Sequence, residues 1–137
     1  MNKKKAFTLI ELLAILVILA IVALITIPHM LNIIEDSKKK AAVASAYGYI
    51  GALTKNVLSD SLNQQKKYEG EYIIENGIIN GQNMENVEIP VSGTIPTKGY
   101  LIYESNKPIN GCLVFGEYEV IINNTKITGA EKGNCNR

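Results

Sequence analysis

The sequence predicts an α+β fold, with a long bent N-terminal helix packed on a small antiparallel β-sheet. Three observations predict it. From Phe7 to Ile27 the chain runs for 21 residues with Glu11 as its one charged side chain. From His29 to about residue 63, apolar residues recur at steps of three and four, the period of a helix with one covered face. Beyond residue 64, short apolar segments alternate with Gly, Asn and Pro, the pattern of strands and turns.

Lys3, Lys4 and Lys5 stand directly before the apolar run, and three readings of it compete. A cleaved secretory signal needs roughly 7–15 apolar residues and a small-x-small cleavage site. Here the run is longer and ends in "TIPHMLN", which offers no such site. A signal anchor fits better, because about 20 apolar residues span a bilayer and preceding lysines hold the N-terminus on the cytoplasmic side. Residues from about 30 onward would then lie outside. A plain anchor gives no reason for Glu11, since a charge at the centre of a membrane helix costs roughly 2.5–3.5 kcal/mol. The third reading is a segment that passes from the membrane into a protein assembly, where the carboxylate finds a partner.

Pro28 either ends this helix or kinks one that continues, because proline lacks the backbone donor and crowds the preceding turn. The following residues favour continuation. Ile33, Ile34, Ser37, Ala41, Ala44, Tyr47, Ile50, Leu53, Val57 and Leu58 recur at helical spacing, and Glu35, Asp36, Lys38, Lys39 and Lys55 fall largely on other faces. Tyr47 is thereby expected to face the core. Gly48 and Gly51 weaken the helix by up to ~1 kcal/mol each, or let another backbone approach. A single helix from Phe7 to Leu62 would be roughly 84 Å long. Its part 7–28 is apolar all round and its part 29–63 amphipathic.

The sheet is expected in residues 64–137. "YIIENGIIN" sets Asn76-Gly77 between two apolar pairs, the strongest hairpin signal in the chain. "NVEIPVSGTIP" is broken by Pro90 and Pro96 and reads as an edge strand or a connecting loop. "GYLIYE", "GCLVFG", "EYEVII" and "TKITG" then follow as short strands.

Charge and residue types narrow the function classes. The formal charge of +1 hides an uneven distribution: without Lys3, Lys4 and Lys5, 11 basic residues face 13 acidic ones. No domain-wide basic surface is available, so direct nucleic-acid binding is not indicated. No catalytic constellation and no cofactor or metal site is expected. The single histidine, His29, sits at the edge of the apolar run, and no glycine loop carries a phosphate-binding lysine. Glu69, Glu71, Glu75, Glu85 and Glu88 read as a solvated face. "NNT" at 123–125 fits a glycosylation sequon too common to weigh. Cys112 and Cys135 allow one pairing, and a disulfide is favoured if this part lies outside the cytoplasm. Two unrelated thiols are the alternative.

The stretch "KKKAFTLIELLAILVILAIVALITIP" resembles the class III leader and first helix of type IV pilins and type II secretion pseudopilins. The resemblance covers roughly residues 3–40, with its basic leader, "FTLIE" string and Pro28. It implies a leader 1–6 removed by a prepilin peptidase between Ala6 and Phe7, and N-methylation of the new Phe7 amine. Ala6 departs from the usual glycine before the cut. Glu11, four residues after Phe7 on the same helical face, is implied to neutralise the amine of a neighbouring subunit during assembly. A pair within one chain, or a glutamate snorkelling to the interface, are the competing readings. At ~4 Å and an effective dielectric near 20, the attraction is about 4 kcal/mol before desolvation. The resemblance also implies a kink at Pro28 and a pilin-like fold. Cys112 and Cys135 resemble, by position, the disulfide that closes the C-terminal region of many pilins.

The implied protein is a non-enzymatic pilus subunit, major or minor. It sits in the cell membrane with its N-terminus cytoplasmic, then in an extracellular filament. Its implied partners are itself and other pilins, the peptidase, and an assembly platform and ATPase. A pseudopilin of a type II secretion or DNA-uptake machine shares this N-terminus. A single-pass anchored extracellular binding domain that never polymerises is the alternative from another class.

Overall fold

The computed structural model describes residues 7–64, 67–104 and 107–136. One helix, α1 (Leu9–Gln64), is followed by seven strands. These are β1 (Gly70–Glu75), β2 (Ile78–Gly81), β3 (Met84–Glu88), β4 (Lys98–Tyr103), β5 (Asn110–Phe115), β6 (Tyr118–Asn123) and β7 (Lys126–Lys132). The chain divides into two compact units, Met1–Ser37 and Lys38–Arg137.

In the first unit α1 continues through Pro28. Pro28 cannot donate to the carbonyl of Leu24, so one rung of the helix ladder is missing there. Two residues earlier, the Thr26 hydroxyl donates to the carbonyl of Val22 at 3.0 Å, satisfying its own polar group within the apolar run.

In the second unit the remaining part of α1 lies against a single antiparallel sheet of order β3-β2-β1-β4-β5-β6-β7. The sheet is a meander apart from one excursion. β1 turns through β2 and β3, and the chain then returns by residues 89–97 to place β4 on the other side of β1. Strand alternation sends Tyr72, Ile74, Leu101, Leu113, Val120 and Ile122 to the helix side. The helix answers with Ala42, Ala46, Tyr49, Ile50, Leu53 and Val57, all buried.

Tyr47 is not part of this core. It is 51 % exposed, and Tyr49 takes the buried position. Ile33, Ile34, Ser37, Ala41, Ala44 and Leu58 of the expected stripe are exposed too. Ile50, Leu53 and Val57 of that stripe are buried as expected, and Ala42, Ala46 and Tyr49 complete the covered face. Alanines carry little hydrophobic weight in a periodicity reading. Gly48 and Gly51 are exposed, and a Cβ on either would meet nothing within 4 Å. Among the described residues no backbone uses their small size.

The glycines within the strands are different. Gly99 lies opposite Leu113, and Gly111 opposite Leu101, in the pairing of β4 with β5. A Cβ on Gly99 would collide with the Cys112 carbonyl, and one on Gly111 with the Tyr100 carbonyl. The Cδ2 atoms of Leu113 and Leu101 lie 3.0 Å from those two Cβ positions, so each leucine covers the glycine across from it. Both leucines are fully buried in the core that the helix and the sheet share. Leu113→Ala should therefore remove about 2–5 kcal/mol of stability, measured by denaturant unfolding of the full chain in detergent.

Two tyrosine hydroxyls tie α1 to its surroundings. Tyr49 donates to the carbonyl of Gly77 at 3.4 Å, and Tyr68 donates to Asp60 Oδ2 at 2.9 Å. Burial pushes the Tyr49 hydroxyl up to about 12. Burial, then the hydrogen bond and the charge of Asp60, push Tyr68 up to about 12 as well. A folded pKa above the unfolded value of roughly 10 favours the neutral phenol, so this contribution to stability is complete below pH ~10. It is lost as pH rises through about 12. The melting temperature should fall across that window, and Tyr68→Phe should fall less steeply than the parent in the same alkaline titration.

Candidate functional site

The described part of the first unit presents exposed apolar surface. Among residues 7–34 every side chain is exposed except that of Ala23, which is half-buried. Phe7 is 77 % and Leu9 87 % exposed. The most apolar 18-residue window has a mean hydropathy of 3.1. At about 1.5–3 kcal/mol per large apolar side chain, leaving this surface in water would cost on the order of tens of kcal/mol. A helix that is apolar on all sides needs lipid or other protein around it.

Glu11 stands in the first turn of that helix, where its contacts define a capping box. Thr8 is the residue before the helix, and its carbonyl accepts from the N–H of Leu12 at 3.3 Å. The Glu11 N–H donates to Thr8 Oγ1 at 3.3 Å. In return, the Thr8 N–H and the Thr8 hydroxyl each donate to Glu11 Oε2 at 2.9 Å. This reciprocal pairing satisfies donors that the first turn of a helix leaves open. It also sets the negative charge at the positive end of the helix dipole. The signal was present in the sequence as Thr8-x-x-Glu11 before an apolar run, and the reading above passed over it.

Within one chain, then, Glu11 has a partner in Thr8. Both contacts fall on one carboxylate oxygen, and a carboxylate can accept from several donors at once. An ammonium nearby would meet a carboxylate already fixed in direction. Ala6 and the rest of the leader lie outside the described residues; Phe7 is described and precedes the cap.

Residues 1–27 match the model of the prokaryotic N-terminal methylation motif. The matched segment takes in the class III leader motif of type IV pilins and pseudopilins and the start of the apolar helix after it. In its described part, from Phe7 on, the first turn of that helix is closed by Thr8 and Glu11. In its second unit the chain has the pilin-like arrangement of helix on antiparallel sheet. No curated protein and no solved structure matches this chain.

The other expected site residues are placed as follows. His29 is exposed on α1. Cys112 and Cys135 form a disulfide with Cα atoms 5.7 Å apart and a sequence separation of 23. Glu119 joins them in a group whose ligand atoms lie within 4.8 Å of one another, but both sulfurs are already committed to the disulfide. Glu71, Glu75, Glu85 and Glu88 are exposed, in keeping with a solvated face. Glu69 pairs with Lys67 at 3.0 Å.

Removing the cap tests its weight. Thr8→Ala should destabilise the first helical turn by about 0.5–2 kcal/mol. Amide exchange at Leu9–Leu12, measured in micelles, should quicken accordingly while exchange in β5 stays unchanged.

Proposed function

We propose that the chain is a structural subunit of a type IV pilus-like filament, inserted as a precursor and polymerised through its N-terminal helix. One observation carries this reading: a helix carrying the methylation motif exposes apolar side chains on all sides and holds one carboxylate in its first turn. Lipid can cover such a helix first, and other copies of it can cover it later. The leader 1–6 is removed between Ala6 and Phe7, and the Phe7 amine is methylated. Glu11 then receives the ammonium of a neighbouring subunit, with Thr8 keeping the carboxylate in place. Pro28, one backbone donor short, kinks the helix and helps it fit among its neighbours.

The partners that follow are a prepilin peptidase, an assembly platform with its ATPase, and other pilins. The second unit is displayed outside the cell, where a disulfide persists. In this reading the chain catalyses nothing.

The test uses the chain in cells that carry the peptidase and assembly machinery. Intact mass and N-terminal sequencing of the sheared surface fraction should show a chain beginning at methylated Phe7. Glu11→Ala should remain in the membrane yet fall at least tenfold in that fraction. A chain retaining "MNKKKA", displayed equally with or without Glu11, would instead support a non-polymerising anchor.

A further inference from the structure

The end of the chain returns across the face of the sheet that points away from α1, and its contacts converge on β6. The Gly133 N–H donates to the carbonyl of Glu117 at 3.2 Å. The Cys135 N–H donates to Glu119 Oε2 at 2.7 Å. The ligand atoms of Cys112, Glu119 and Cys135 lie within 4.8 Å of one another. A Cβ on Gly133 would land on the Glu119 carboxylate, so the absence of a side chain at 133 is what makes room for it.

Two features set Glu119 apart from an ordinary surface glutamate. It is half-buried, and its directly opposed neighbour on β7 is Glu131, another carboxylate. Like charges opposed across a sheet are destabilising. The hydrogen bond to the Cys135 backbone is a specific contact that offsets this. What it contributes is position.

We infer that Glu119 is a positioning residue for the Cys112–Cys135 disulfide. Its carboxylate holds the backbone at Cys135 where that sulfur meets the one on Cys112, and so favours the bonded form over the two thiols. In the oxidation itself two S–H bonds break and one S–S bond forms. The two protons and two electrons pass to an external disulfide oxidant, such as oxidised glutathione, which is reduced to two thiols. Glu119 is unchanged throughout. The docked tail also forms one wall of a cleft of about 350 Å³ against Ile73, Lys98 and Tyr100, so the same contact shapes the outer face. This inference stands independently of the filament reading.

The test equilibrates the full chain in detergent with reduced and oxidised glutathione and reads the oxidised fraction by alkylation and mass. Glu119→Ala should lower the equilibrium constant for forming the bond about tenfold or more, the range for a hydrogen bond to a charged group. Glu119→Gln keeps an acceptor and should recover most of that loss. Gly133→Ala should resemble Glu119→Ala, because its Cβ displaces the carboxylate, and the double variant should be no worse than either single one. Glu119→Ala within twofold of the parent, or additive losses in the double variant, would overturn the inference. So would a drop in melting temperature for Glu119→Ala that is equally large when both cysteines are replaced by serine.

Discussion

The apolar surface of residues 7–34 is a free-energy constraint that the chain by itself leaves unmet. Nineteen large apolar side chains are exposed there among the described residues. Water is not a stable surrounding for such a helix, which leaves lipid or other protein. A permanent membrane helix would be best served by having no charge at all. Glu11 breaks that rule at one point only, inside the first turn, where the helix dipole and the Thr8 cap reduce the cost of the charge. Apolarity on every side and one oriented carboxylate together suit a helix that leaves lipid for a protein surrounding.

The second unit meets its own constraint internally. Its core is the helix face from Ala42 to Val57 set against the covered side of seven strands. Ala42 and Ala46 are buried on the helix side, and in the sheet Gly99 and Gly111 lie opposite Leu113 and Leu101. The leucines opposite those glycines restore the apolar area that glycine lacks. On the other side of the sheet a disulfide and the Glu119 contact hold the end of the chain. A domain of this size gains from such a staple, since a crosslink closing a loop of about this length contributes about 3 kcal/mol on the chain-entropy model.

Much of this architecture was legible from local pattern. Asn76-Gly77 takes positive φ at both residues, 50° and 78°, as a two-residue hairpin turn demands. The segment interrupted by prolines became the edge strand β3 followed by a loop, because Pro90 cannot join a ladder. Other features had no local signature. The turn between β6 and β7 puts Asn124 and Thr125 at φ 52° and 62°, a conformation that a β-branched threonine disfavours. It is held by Ile109, whose carbonyl accepts from the Thr125 N–H at 2.8 Å and whose N–H donates to Thr125 Oγ1 at 2.9 Å. Those bonds join residues 16 apart in sequence, so no local window could contain them. Tyr47 was misplaced for a related reason. Spacing shows that one face of a helix is apolar, but which of several overlapping stripes is covered depends on the sheet it meets.

By itself, the sequence determined the class of the fold, the leader motif and apolar helix, the hairpin at Asn76-Gly77 and the one possible cysteine pair. All of these are properties of neighbouring residues or of simple counts, and local propensity and hydropathy act on them directly. The tertiary structure alone decided which stripe of α1 is buried, that Gly99 and Gly111 face leucines, and that Glu119 holds the backbone beside Cys135. Each of these depends on strand register, which brings residues far apart in the chain within a few ångströms. Register is selected by the whole core at once, so its consequences cannot be read from any single segment.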